Sequence, residues 1–142
     1  MVSDERIHAS LIDGIRSGAK PKLVQPHDTW EQVPAEWRDD RTLFVAETLY
    51  SMDGDFVDFE ALARLWTASG GFLVLDDAHA SGAFFEDGRG AFPALGKRDW
   101  SRLAVTGSFG KAFGVAGAAV LHPDGPGEGL VEGHGGRAAG LG

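Results

Sequence analysis

The fold is decided by residues 42–77, which read TLFVAETLYSMDGDFVDFEALARLWTASGGFLVLDD. Two near-continuous apolar runs, at residues 42–46 and 72–75, have the pattern of strands that are buried on both faces. Between these runs, four apolar residues recur at the spacing of one helical face: Phe59, Leu62, Ala63 and Trp66. This spacing predicts a helix over residues 58–68. A strand, an amphipathic helix and a second buried strand form a βαβ unit, so the sheet is predicted to be parallel.

Similar patterns on either side of this unit extend the predicted sheet. Short apolar runs predict three more strands, at residues 22–25, 103–105 and 117–121. One helix is predicted over residues 9–16, and a second is expected to begin after a cap at Asp28, although Pro34 weakens it. The fold class is therefore predicted to be α/β, with three layers (α/β/α) and a mostly parallel sheet.

Composition excludes several classes of function. The chain has 142 residues, a formal net charge of −8 and no cysteine. An acidic balance argues against a nucleic-acid or anionic-membrane surface, and a chain without cysteine has no disulfide and no thiolate metal site. The apolar runs are too short to span a bilayer, and the first residues lack the pattern of a signal peptide. We therefore expect a cytoplasmic protein that has neither a nucleic-acid nor a membrane partner.

One change in composition divides the chain. In residues 125–142, eight of eighteen residues are glycine, and there is no periodic apolar pattern. Such a segment cannot bury enough apolar surface to offset the entropy that it loses on ordering. We predict a partial domain over residues 1–124 and a glycine-rich disordered tail over residues 125–142.

Five polar side chains follow the predicted strands: Ser51, Asp76, His79, Ser108 and Lys111. Ligands of open α/β sheets bind at the carboxyl ends of the strands, so we expect these side chains to share one site. A lysine between apolar runs is costly to desolvate, and a desolvated lysine forms Schiff bases with carbonyl groups. A lysine, a carboxylate, an imidazole and hydroxyl groups are together what pyridoxal phosphate requires.

A metal site is the alternative interpretation of part of this set. His8, Asp76 and His79 could form a two-histidine, one-carboxylate triad for iron. The scaffold expected for oxygenases with such a triad is all-β, which the pattern of helices and parallel strands contradicts. We therefore predict no metal site. The remaining histidines are interpreted as ordinary surface residues: His27, His122 and His134.

Four blocks of the sequence, in this order and spacing, resemble the α-oxoamine synthases. They are ETLYSMDGD at residues 47–55, DDAH at 76–79, GRG at 88–90 and SFGKAFG at 108–114. The start of the family's histidine-containing helix is similar to residues 7–11, and the resemblance covers residues 8–124. Members of this family are fold-type-I pyridoxal-phosphate enzymes that condense an amino acid with an acyl-CoA and act as homodimers. The resemblance therefore implies an incomplete large domain of that fold and a transferase activity of that type.

The resemblance also implies a role for each matching residue. Lys111 corresponds to the lysine that forms the Schiff base with the cofactor and shuttles the α-proton. Asp76 corresponds to the carboxylate that pairs with the pyridine nitrogen, and His79 to the imidazole that contacts the phenolic oxygen. His8 corresponds to the catalytic histidine that stacks on the pyridine ring.

Two serines complete the implied set of cofactor contacts. Ser51 is expected to bond the ring substituents, and Ser108 stands where the family usually has a phosphate-binding threonine. Family members are much longer, and their phosphate-binding glycine loop and substrate-binding arginine have no counterpart in this sequence. The alternatives are therefore a catalytically incompetent fragment of such an enzyme, or another activity of the class I/II aminotransferase fold. The sequence does not specify which amino acid or which acyl-CoA is used.

Overall fold

The computed structural model describes residues 1–18, 21–84, 88–96, 99–124 and 127–132. In these residues seven strands form one sheet: β1 (Val2–Asp4), β2 (Leu23–Gln25), β3 (Leu43–Glu47), β4 (Phe72–Asp76), β5 (Leu103–Ser108), β6 (Ala118–Asp124) and β7 (Gly127–Glu132). Two α-helices accompany them: α1 (Ala9–Ser17) and α2 (Phe59–Ser69). Short 3-10 turns occur at Trp30–Gln32, Ala35–Trp37, Phe92–Leu95 and Trp100–Arg102.

The predicted mostly parallel sheet is confirmed. Its order is β2-β1-β3-β4-β5-β6-β7, and the five strands from β2 to β5 in this order are parallel. The last two strands differ, because β6 runs antiparallel to β5 and β7 runs antiparallel to β6. A parallel partner for β5 would need a crossover of about a dozen residues or more. Only residues 109–117 separate β5 from β6, so the chain turns back on itself.

The central βαβ unit forms as the apolar periodicity predicts. The Asp58 side chain caps α2 by accepting from the Ala61 N–H at 2.9 Å, and Gly70 ends the helix in the left-handed conformation at φ 67. The helix packs Leu62 and Trp66 against the core, where Phe44 of β3 is also fully buried. Hydrophobic burial of this one helical face holds β3 and β4 side by side.

The two helices lie on opposite faces of the sheet. The crossover from β1 to β2 and the crossover from β3 to β4 run in opposite directions along the sheet. Because such crossovers are right-handed, α1 and α2 cover different faces, which gives the three layers expected. Neither described helix is long and apolar enough to cross a membrane.

The prediction of a helix after Asp28 is wrong. The structure has two 3-10 turns there, Trp30–Gln32 and Ala35–Trp37, with Pro34 as the residue that caps the second turn. Proline lacks the N–H that a continuous helix would need, so the helix breaks at this point. Asp28 itself has a left-handed backbone at φ 54, and its carboxylate accepts from the Asp58 N–H at 2.9 Å.

The ends of the sheet also differ from expectation. Strand β1 was not predicted, because its three residues are too few to show a period. Within the tail that was predicted to be disordered, Gly127–Glu132 form strand β7, which pairs with β6. The rest of the tail, residues 125–126 and 133–142, lies outside the described residues, and so does His134.

Candidate functional site

Three polar residues form a row at the carboxyl ends of the parallel strands. Glu47 of β3 pairs in register with Asp76 of β4, and Asp76 pairs with Thr106 of β5. Residues that pair directly across parallel strands point to the same face of the sheet. The end of the sheet therefore presents two carboxyl groups and a hydroxyl group side by side.

Asp76 and its neighbour Asp77 have different environments. Asp77 is fully buried, and its carboxylate accepts from the Thr48 hydroxyl, from the Ser81 hydroxyl at 2.7 Å and from the Ala91 N–H at 3.0 Å. Asp76 is half-buried, and its Oδ1 accepts from the Ala78 N–H at 3.0 Å. Within the described part of the chain, nothing donates a hydrogen bond to Asp76 Oδ2. Of the two aspartates, Asp76 is the one whose carboxylate can take a ligand.

Glu47 is a further residue of this site, and it is not among the candidates predicted from the sequence. It is buried, and one carboxylate oxygen accepts from the backbone N–H of His8. Burial raises the pKa of Glu47 to about 7, an increase that Asp76 and Asp4 reinforce and that the His8 N–H and the Lys111 ammonium oppose. The signal that could have identified it is an acidic residue directly after a buried apolar run, which is the same signal that identified Asp76.

Replacing Glu47 with glutamine is expected to stabilise the chain at alkaline pH. The folded carboxyl group keeps its proton up to about pH 7, whereas the unfolded group releases it near its ordinary value of 4.5. The folded state therefore binds more protons across this window, and its stability falls as the pH rises. We expect urea unfolding to show Glu47→Gln close to wild type at pH 4 and more stable by about 2 kcal/mol at pH 8. A difference that does not vary with pH would contradict this assignment.

His79 and Lys111 lie close enough to influence each other electrostatically. The half-buried His79 has its pKa lowered, first by burial, then by the Lys111 ammonium and by His8, while Asp76 acts in the opposite direction. Its imidazole is therefore neutral near pH 7 and carries one donor and one acceptor nitrogen. Asp76, His79 and Lys111, which sequence analysis placed in one site, are brought together.

The Lys111 side chain is not desolvated. Lys111 is exposed, in a turn that its own carbonyl closes by accepting from the Gly114 N–H at 3.1 Å. The apolar runs on both sides are strands β5 and β6, and the residues that connect them turn in contact with solvent. The ammonium therefore keeps its hydration, while its charge still acts on Glu47 and His79.

His8 is positioned by its own helix. It is the N-cap of α1, and its Nδ1 accepts from the Ser10 N–H at 3.2 Å. Capping satisfies one of the free N–H groups in the first helical turn. Together with the backbone bond to Glu47, the cap fixes the start of α1 beside the end of β3.

The two serines have different surroundings. Ser108 is the last residue of β5; its Oγ accepts from the Gly110 N–H at 3.3 Å, and it lines a cavity of about 210 Å³ together with Arg89 and Phe113. Ser51 is exposed in the turn after β3. No hydrogen bond joins Ser51 to the other candidate residues in the described ranges, so its place in the site stays a prediction.

The metal alternative receives no structural support. In the described residues, no three or more histidine, aspartate or glutamate side chains are close enough to hold a metal ion. His8, Asp76 and His79 are all described, and they are not gathered as ligands.

The sequence matches the family described as aminotransferase class I and II over residues 2–126. It is 43% identical over 122 residues to 8-amino-7-oxononanoate synthase from Burkholderia mallei (strain SAVP1), and the aligned region covers 84% of this chain and 31% of that protein. The same values apply to the enzyme of that name from Burkholderia pseudomallei (strain K96243).

Two solved structures resemble this chain in fold. 8-Amino-7-oxononanoate synthase from Francisella tularensis superposes with a TM-score of 0.73 at 28% identity, over 87% of this chain and 36% of that one. A serine palmitoyltransferase variant from S. paucimobilis, with a bound PLP–myriocin aldimine, superposes with a TM-score of 0.70 at 27% identity, over 86% of this chain and 32% of that one. The chain spans about a third of the length of the curated relatives that it matches.

Proposed function

Because the chain belongs to the aminotransferase class I and II family, we propose that it forms part of the site of a pyridoxal-phosphate-dependent acyltransferase. The reaction proposed is that of the α-oxoamine synthases, in which an amino acid condenses with an acyl-CoA to give an aminoketone. The observation that supports the proposal most is the meeting of Asp76, His79 and Lys111 at the carboxyl ends of β4 and β5. Relatives with 43% identity carry the name of such a synthase.

The residues present fit the cofactor. Asp76 has a carboxylate oxygen without a donor among the described residues, Lys111 has an exposed amine, and Ser108 borders a cavity. When bound, pyridoxal phosphate supplies an electron-withdrawing ring that stabilises negative charge at the α-carbon of the amino acid. Asp76 would hold a proton on the ring nitrogen, because a carboxylate favours the charged form of a facing base.

The other residues would orient the reactants and move protons. Lys111 Nζ would attach the cofactor and then carry the α-proton of the amino acid, for which an amine needs to lose its proton first. His79, neutral because burial and Lys111 lower its pKa, can donate a hydrogen bond to the phenolic oxygen without adding a charge. Ser108 Oγ would donate to a phosphate oxygen, and His8 would cover the ring from the start of α1.

A second candidate function is cofactor binding without turnover by this chain alone. The observation that favours it is the exposure of Lys111 and of its neighbours in residues 110–118. A site open to water weakens the electrostatic effects on which catalysis depends. The two candidates differ in turnover and share the attachment of the cofactor to Lys111.

Borohydride reduction tests the attachment directly. We expect the chain incubated with pyridoxal phosphate and then reduced to carry the label on Lys111. Lys22, whose ammonium donates to the Arg16 carbonyl at 3.0 Å, is the matched control: Lys22→Ala should keep the label and Lys111→Ala should lose it. Label together with turnover of an amino acid and an acyl-CoA supports the synthase, and label without turnover supports the second candidate. A reduced chain without label on Lys111 overturns both.

We also propose that the chain acts in the cytoplasm as part of a homodimer. The apolar side chains of Phe113, Val115 and Leu121 are between 46% and 58% exposed, and covering them would be favourable. Sedimentation equilibrium tests this proposal, and a monomer at all concentrations would argue against it.

A further inference from the structure

His27 lies between two carboxylates. Its Nδ1 is 3.1 Å from Asp4 Oδ1, and its Nε2 is 3.0 Å from Asp55 Oδ2. The side chain is only 13% exposed, and the ring packs edge-on against Tyr50 at 4.5 Å between centroids. The interpretation of His27 as an ordinary surface residue is therefore wrong.

This geometry determines the charge of the ring. A neutral imidazole has one N–H and one bare nitrogen, and a bare nitrogen cannot donate to a carboxylate. Only the imidazolium donates from both nitrogens, so both bonds exist together only when His27 is protonated. Burial lowers the pKa of His27, but the hydrogen bonds and charges of Asp55 and Asp4 outweigh burial and leave the pKa above its ordinary value of 6.5.

Two segments supply the charged groups that contact His27: the end of β1 and the turn over residues 51–55. Asp4 ends β1, and its fully buried side chain also accepts from the Arg6 N–H and the Asp28 N–H at 2.8 and 2.7 Å. The Glu5 carboxylate accepts from the His27 backbone N–H at 3.1 Å. Asp55, whose side chain is half exposed, belongs to the turn that begins at Ser51.

The bonds of His27 join two segments that carry predicted cofactor contacts. The first segment runs from Asp4 to His8, and the second is the turn over residues 51–55. The Gly54 N–H donates to the Tyr50 carbonyl at 2.8 Å, which closes the turn. An ion pair between Arg6 and Asp53, 2.8 Å long, joins the same two segments nearer to the surface.

We infer that His27 is a positioning residue: as an imidazolium between Asp4 and Asp55, it fixes the turn that carries Ser51 against the segment that ends in His8. The inference rests on the proposed function only in so far as Ser51 and His8 contact the cofactor there. When His27 loses its proton, one of the two bonds is lost. Asp4 keeps its two backbone donors, whereas Asp55 is half exposed and regains water, so the bond to the turn is released first.

The inference is tested by NMR titration of the whole chain without cofactor. We expect both ring nitrogens of His27 to be protonated at pH 6.5, with a midpoint above 6.5. The amide signals of Ser51 and Gly54 should shift with the same midpoint. Asp55→Asn removes the outer carboxylate and should lower this midpoint by about one pH unit. Asp53→Asn, a matched loss of one charge in the same turn, should change it by no more than about 0.3 units, because Asp53 pairs with Arg6.

Three results would overturn the inference. The first is a titration midpoint of His27 at or below pH 6.5. The second is that the amide signals of the turn do not shift with the His27 midpoint. The third is that Asp55→Asn and Asp53→Asn change this midpoint equally. Both variants change partly exposed side chains, so a loss of fold is not expected. Because no cofactor is present, the outcome is independent of the labelling of Lys111, which tests the proposed function.

Discussion

Replacing Gly90 with alanine is expected to destabilise the chain by about 4 kcal/mol or more, enough to unfold a large fraction of the molecules. The added Cβ would overlap Asp77 Oδ2 and approach the Ser81 hydroxyl. The Asp77 carboxylate has no room to move, because it is fully buried and accepts from the Ser81 hydroxyl and the Ala91 N–H. Gly90 also has a φ of 83, which is unfavourable for any residue with a Cβ.

The control for this change is Gly96→Ala. Gly96 has a similar φ of 78, but a Cβ there would meet nothing within 4 Å. Its ψ of −174 places Gly96 in an extended positive-φ region that glycine almost alone adopts, so the variant measures a backbone cost of about 1–3 kcal/mol without any side-chain overlap. Urea unfolding followed by circular dichroism provides both values. Equal losses of stability for the two variants would show that the overlap with Asp77 adds nothing to the cost of Gly90→Ala.

Replacing Asp77 with alanine is expected to cost about 3–5 kcal/mol. The change would leave three donors without their acceptor: the hydroxyls of Thr48 and Ser81 and the N–H of Ala91. An unsatisfied buried donor loses its hydrogen bond to water without gaining another. Asp77 therefore joins the ends of β3 and β4 to the loop that contains Gly90.

The two changes are expected to be strongly non-additive. Alanine at position 77 removes the carboxylate that a Cβ at position 90 would overlap, so Gly90→Ala should cost much less in that background. The free energies of unfolding of wild type, the two single variants and the double variant form a double-mutant cycle that measures this non-additivity. A double variant whose loss equals the sum of the single losses would rule out this contact. Asp77→Asn, which keeps one acceptor oxygen, should fall between wild type and Asp77→Ala.

The core of the fold could be predicted because its signals are local. The runs that form β3 and β4 are apolar throughout, and α2 shows one helical face with a cap at Asp58 and a stop at Gly70. The turn structure after Asp28 could not be predicted in the same way, since its left-handed backbone is stabilised by Asp58, thirty residues later. Strand β1 is likewise defined only by its two neighbours in the sheet.

Candidate site residues could be predicted from the sequence where the order of strands alone determines where a side chain lies. Asp76 was identified because it ends a buried strand, and the same rule would have identified Glu47. The rule does not predict whether each side chain is hydrated or charged. Lys111 is hydrated because residues 109–117 form a turn, and His27 is charged because two carboxylates from distant segments meet it. The first fact depends on the local turn between β5 and β6, whereas the second depends on contacts between segments that are far apart in the chain.

The position of β1 has a consequence for the order of folding. Strands β5 and β6 are joined by a short turn and can pair early, whereas β1 pairs with β3, about forty residues away, at the entropic cost of closing that loop. His8 lies four residues after the end of β1, and Glu47 ends β3. We therefore expect the bond between these two residues to form only in the last stage of folding, after most of the apolar core has assembled.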